Sequence, residues 1–179
     1  MKWVAFFSQS GSEIVEISER LGVYPDKVIT NQTQTSKINK KIWNTNLIFT
    51  PALLHKDVYS NILGNSRDKI VTLNGWLRII PPNICSKYNI YNGHPGLITK
   101  YPELKGKDPQ AKAVKLGLST SGSVIHEVTE EVDAGQILAS QEISIEELDT
   151  HEVINRLHNV SVNLWTIFLK QKLNLTTTR

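Results

Sequence analysis

The chain opens with KWVAFFSQSGSEIVEISERLG, residues 2–22, and this stretch restricts the fold more than any other. Trp3 to Phe7 is an unbroken apolar run, the pattern of a strand buried on both faces, which is typical of parallel sheets. A glycine-containing turn follows. Ser12 is placed to cap a helix in which Ile14, Val15, Ile17 and Leu21 recur at helical spacing, and Gly22 is placed to end it. Strand, turn and helix in this order begin a βαβ unit, and neighbouring parallel strands need such crossovers.

The rest of the chain extends that beginning. DKVITN and NLIFTP read as the second and third strands, and PALLHKDVYSNILGN as a helix with Gly64 near its end. DKIVTLNGWL starts as a buried strand and breaks at Asn74-Gly75, and YNIYNGHP gives a further short strand. The pattern then changes. GSVIHEVTEEVDAGQILASQEISI carries β-branched residues at period two around a polar break, as expected for two antiparallel strands. In the closing stretch Val153, Leu157, Val160, Leu164, Ile167 and Phe168 fit a long helix, with Asp149 or Thr150 as its cap. The expectation is a single α/β domain over residues 1–179. Its sheet is mixed and mostly parallel, flanked by helices, with a long C-terminal helix.

At 179 residues, 40% hydrophobic and 21% charged, the chain is long enough for one substantial core. No apolar run approaches the roughly 20 residues of a membrane span, and the apolar core of MKWVAFFSQSGS is too short for a signal peptide. A formal charge of +3 gives no case for nucleic acid. Cys85 is the single cysteine, which excludes an internal disulfide and a cysteine-based zinc site. It fits a cytoplasmic protein, and PPNICSKY reads as core packing around it. The basic stretch SKINKKIW is either a solvated helix face or a contact to an anionic substrate. A homodimer is left open.

In open α/β sheets, sites form at the carboxyl ends of strands. Three segments fall there: Ser10-Gly11-Ser12, Asn92-Gly93-His94, and Asp133 in the EEVDAG loop. The first is a helix cap or an anion site, since free amides at a helix N-terminus bind phosphate or carboxylate. The other two suit acyl transfer. An amine attacking a carbonyl makes a tetrahedral intermediate with a negative oxygen and a surplus proton on nitrogen. Asn92 can donate to that oxygen. His94 can donate if protonated, or move the proton. Asp133 favours the imidazolium and accepts a proton directly or through water. No serine lies in a G-x-S-x-G elbow, which disfavours a serine hydrolase.

YNGHPGLITKYPELKG followed by SGSVIHEVTEEVDAGQIL resembles the folate-dependent formyltransferases, and among them the phosphoribosylglycinamide branch. LNGWLRII is similar to that family's pterin-binding strand and loop, and FFSQSGSE to its first strand and phosphate turn. The resemblance implies a Rossmann-like formyltransferase fold and 10-formyltetrahydrofolate as the donor, with no metal. By the same resemblance, Asn92 steadies the formyl oxyanion, His94 assists as imidazolium and Asp133 relays protons. Leu77, Arg78 and Ile80 lie against the pterin and give it main-chain hydrogen bonds, and Glu130 and Val132 pass over the same ring. Ser10, Gly11, Ser12 and Glu13 meet the acceptor. His126 falls where the family has a strand histidine, and reads as a core residue behind the site. His55, His151 and His158 carry no role.

The departures concern the acceptor. Glu13 stands where the glycinamide branch has asparagine, and a carboxylate there repels a phosphate. Ser161 or a neighbour stands where the branch has a glutamate that receives the acceptor's amino group. The region between VITNQTQ and NLIFTP is trimmed. A nucleotide or amino-sugar amine is therefore as compatible as the purine-pathway acceptor. The short LTTTR tail makes a tRNA acceptor an unfavoured reading. A formyltetrahydrofolate deformylase and a non-catalytic folate or nucleotide binder are the alternatives.

Overall fold

A computed structural model describes residues 1–52, 54–66 and 68–175. Leu53, in the middle of PALLH, and Thr176–Arg179 of the tail lie outside the described residues. In chain order the elements are β1 (Lys2–Phe7), α1 (Ser12–Leu21), β2 (Lys27–Thr30), β3 (Leu47–Phe49), α2 (Lys56–Leu63) and β4 (Lys69–Leu73). Then come α3 (Pro82–Cys85), β5 (Asn89–His94), α4 (Pro109–Lys115), β6 (Thr120–Glu127), β7 (Ile137–Ser144) and α5 (Thr150–Lys172). The strands form one seven-stranded sheet in the order β3-β2-β1-β4-β5-β6-β7. β3 to β5 pair in parallel, whereas β6 and β7 are antiparallel. The fold is thus the expected mixed, mostly parallel sheet flanked by helices.

The order reverses at β1. The chain first moves out to β2 and β3, then returns to place β4 on β1's other side. The turns after β1 and β4 therefore part in opposite directions and leave a crevice at the sheet's carboxyl edge, the place where such sheets bind ligands.

Two layers cover the sheet. On one face, Ile14, Val15 and Ile17 of α1 and Val160, Trp165 and Phe168 of α5 pack on Ala5, Phe7, Tyr91 and Ile125. On the other, Tyr59 and Leu63 of α2 and Ile84 of α3 pack on Val4, Phe6, Val71 and Ile90. A third cluster joins Leu104, Ala113, Val124 and Leu157 around α4 and the start of α5. α5 begins with a reciprocal capping box, in which Asp149 accepts from the Glu152 N–H and Glu152 accepts from the Asp149 N–H.

Some local expectations change. α1 is capped by Gly11, at φ 73°, and not by Ser12, which is already the first helical residue. A Cβ at Gly11 would stand 3.1 Å from Ile42, so the turn needs glycine for both its handedness and its space. α2 begins only at Lys56, so the helix is shorter than the apolar pattern suggested. The basic stretch forms a 3-10 turn at Lys40–Asn44 that ties back to the first turn, with the Asn39 N–H donating to Ser10 O. Lys41 pairs with Glu19.

Candidate active site

β5 and β6 set the first part of the site by register. Asn92 lies directly opposite His126, and His94 lies two residues on from Asn92. The side chains of all three share one sheet face. The β6–β7 pairing slips at this level, from Ile125 opposite Ala139 to His126 opposite Ile137. Such an irregularity re-aims a neighbouring side chain. The loop after it returns over the sheet with Gly135 tight against Glu127, where a Cβ would stand 1.9 Å from the Glu127 oxygen. Asp133 comes down from this loop in a left-handed conformation, φ 52°.

The Asp133 carboxylate lies between two imidazoles, with Oδ2 3.5 Å from His94 Nδ1 and Oδ1 3.3 Å from His126 Nε2. The Gly106 N–H donates to Oδ2 at 2.9 Å. His126 Nε2 also lies 3.2 Å from the Asn92 amide nitrogen, which places this ring nitrogen near both Asn92 and Asp133. Each imidazole spends its other nitrogen on a carbonyl. His94 Nε2 lies 2.8 Å from Leu104 O, and His126 Nδ1 lies 2.7 Å from Glu127 O. A carbonyl only accepts, which places a hydrogen on each of those nitrogens.

Burial pulls the Asp133 carboxyl upward, but it is outweighed by the His126 hydrogen bond, the charge of His94 and the Gly106 N–H. The net result is a carboxyl lowered from 3.8 to about 2. For His94 the balance runs the other way. Burial pushes its pKa below 6.5, and Asp133 and the Leu104 carbonyl offset this only in part. Burial thus works against the imidazolium that the resemblance implies, and Asp133 works for it. With its hydrogen on Nε2, the neutral ring turns an Nδ1 lone pair toward Asp133.

The expected pterin residues separate. The Leu77 N–H already donates to Ser8 Oγ at 3.0 Å, and its carbonyl accepts from the Arg78 guanidinium. The Leu77 carbonyl keeps a second lone pair for a further hydrogen bond. Ile80 is buried with Trp76, Ile84 and Tyr88, while Ile79, which drew no attention in the sequence, is 74% exposed. Leu77 and Val132 are exposed as well, as is Glu130. Cys85 sits between the two segments, its thiol 3.5 Å from Ile80 O and 3.6 Å from Thr129 O. Burial pushes that thiol's pKa up, so it is not activated.

The crevice between the β1 and β4 turns holds a cleft of about 220 Å³. Ser10, Gly11, Ser12 and Glu13 line it, opposite Asn74 and Gly93 and beside Ser161 of α5. His158 also lines it, although its sequence context suggested only a helix surface, and so does Gln110, which the sequence did not single out. A Cβ on Gly93 would stand 2.5 Å from Trp165 Nε1, so the glycine between Asn92 and His94 is where α5 meets the strand. Among the described residues, no His, Cys, Asp or Glu cluster is arranged to hold a metal ion, and no helix is long and apolar enough to cross a membrane.

Comparison with known proteins bears on the family and the fold. The chain is similar to the phosphoribosylglycinamide formyltransferase of Bacillus subtilis, 33% identical over 110 residues. That match covers 60% of this chain and 55% of the relative. It is also similar to the trifunctional purine biosynthetic protein adenosine-3 of Chironomus tentans, 31% identical over 82% of this chain but 10% of that protein. The chain therefore spans about half, or far less, of the length of these relatives. In fold it is similar to the phosphoribosylglycinamide formyltransferase of Anaplasma phagocytophilum, with a TM-score of 0.82 at 21% identity over 97% of this chain and 87% of that one. A formyltetrahydrofolate deformylase of Pseudomonas syringae shares the fold at a TM-score of 0.78 and 18% identity, over 98% of this chain and 63% of that one. The family model described as formyl transferase matches residues 5–166, nearly the whole length, and the chain belongs to the formyl transferase family.

Proposed function

We propose that residues 1–179 act as one domain that transfers a formyl group from 10-formyltetrahydrofolate to the amine of a small molecule. The observation that carries this reading is the convergence of Asn92, His94 and Asp133 beside a cleft able to hold an acceptor. An amide nitrogen has two N–H groups. With one directed at His126, the other is left to donate to the oxyanion that forms on the formyl carbonyl. Neutral His94 offers Nδ1 as the base that takes the proton from the attacking nitrogen, and Asp133 stabilises the imidazolium so formed.

The amine nitrogen bonds to the formyl carbon and the carbon–N10 bond breaks. The proton lost by the amine is matched by the one N10 gains. Leu77, Ile79 and Val132 offer exposed apolar surface for the pterin, and Arg78 and Glu130 flank it with polar groups. The cleft beside Gly93 favours an amine over water as acceptor, because hydrolysis needs no such space.

Release of tetrahydrofolate, measured with and without added amines, tests the proposal. Release that requires the amine supports transfer, and equal release without it establishes a hydrolase. Asn92→Ala should lower turnover about 10²–10³-fold. His94→Ala and Asp133→Asn should also lower it strongly while folate affinity, read by titration with a non-reactive folate, changes little. Near-normal turnover in Asn92→Ala removes that residue from the mechanism.

A further inference from the structure

Glu13 reaches across the cleft between the first helix and the last. It accepts from Asn74 Nδ2 at 2.9 Å and from Ser161 Oγ at 2.5 Å. Asn74 is itself held from within the core. Its Oδ1 accepts from Thr72 Oγ1 at 2.8 Å, and Thr72 Oγ1 accepts from the Trp3 indole at 2.9 Å. The carboxylate is thus fixed at the end of a chain of neutral groups. Among the residues that line the cleft, only His158 can carry positive charge, and its Nε2 lies 2.9 Å from Glu16. Glu13 therefore faces the cleft without a cation of its own. It also supplies the negative charge that the N-terminus of α1 would otherwise take from an anion. A carboxylate in this setting draws a cation into the cleft and opposes a phosphate.

Building on the formyl-transfer reading, we infer that Glu13 determines acceptor specificity. The amine enters as an alkylammonium ion paired with Glu13, and it carries no phosphate against the Ser10–Ser12 turn. As its nitrogen bonds to the formyl carbon and the carbon–N10 bond breaks, one of its protons ends on N10 and one in solvent. Glu13 acts in binding, and the proton steps stay with His94 and Asp133.

The test uses matched amines, glucosamine with glucosamine 6-phosphate and ethanolamine with phosphoethanolamine, together with inorganic phosphate. Each is titrated calorimetrically into the unaltered protein, Glu13→Gln and Glu13→Asn, and turnover with 10-formyltetrahydrofolate is measured separately. The unaltered protein should bind the phosphate-free member of at least one pair about tenfold or more tightly than its phosphate ester, and should bind phosphate weakly. Both variants should lose that preference and gain affinity for inorganic phosphate. A preference for the phosphate esters, a preference unchanged in both variants, or no binding of any amine overturns the inference. Turnover with an unchanged preference counts against Glu13 alone. An intact, Glu13-dependent preference without tetrahydrofolate release counts against formyl transfer.

Discussion

The nitrogens of His94 divide the labour of the proposed site. Nε2 is tied to the Leu104 carbonyl and Nδ1 is left facing Asp133. A base of this kind works only when unprotonated, and burial holds its pKa below 6.5. The pH profile of kcat/KM should therefore show an acid limb below pH 6.5, and Asp133→Asn should move that limb further down, because the carboxylate is what raises the imidazole's pKa. A limb above 6.5 would assign the base to another group. Asparagine is also the apt replacement for backbone reasons, since Asp133 sits at φ 52° and asparagine tolerates the left-handed region. The polar types at this site were legible in the sequence because asparagine, histidine and aspartate beside turn residues stand out in an apolar neighbourhood. His126 was legible only as a strand residue. Its link to Asn92 depends on antiparallel register and on the slip in β7, and neither is a property of the local sequence. Likewise, which side chains of WLRII face outward is fixed by where the chain bends after β4, so the exposure of Ile79 and the burial of Ile80 were not legible in the sequence.

Two contacts of α5 matter most at the scale of the element. Trp165 lies against Gly93, so Gly93→Ala must displace the indole or bend β5. Overpacking of this kind costs about 1–3 kcal/mol, and the urea midpoint should fall accordingly. Because Gly93 lies between Asn92 and His94, turnover should fall further than the loss of stability explains. At the other end, Asp149→Ala removes the capping box and should cost about 1 kcal/mol with kcat unchanged. The strands and this helix were readable because each is long or continuously apolar. α3 and α4, of 4 and 7 residues, are too short for any periodicity to show, and each begins at a proline that reads equally well as a loop. α2 starts late because Ala52 and Leu54 carry apolar side chains without helical backbone, a distinction that a hydrophobic pattern does not make.

For the whole molecule, the same buried groups that serve the site make stability depend on pH. Asp133 is lowered from 3.8 to about 2, so its contribution is fully present above 3.8 and is lost as pH falls through 2. His94 is lowered from 6.5, so below that pH the unfolded chain takes up a proton that the folded one resists, and stability falls again. Urea unfolding between pH 8 and 2 should show both losses, with Asp133→Asn abolishing the more acidic one; an unchanged acid limb in that variant would place the carboxylate's partners elsewhere. The cleft proposed for the acceptor gathers its walls from the first turn, from Asn74, from Gly93 and from Ser161, so it is spread over most of the chain. During synthesis the earlier segments leave the ribosome well before Ser161 and Trp165 do. A nascent chain therefore carries the first turn, Asn74 and Gly93 early, and the cleft is closed only when α5 has emerged and docked.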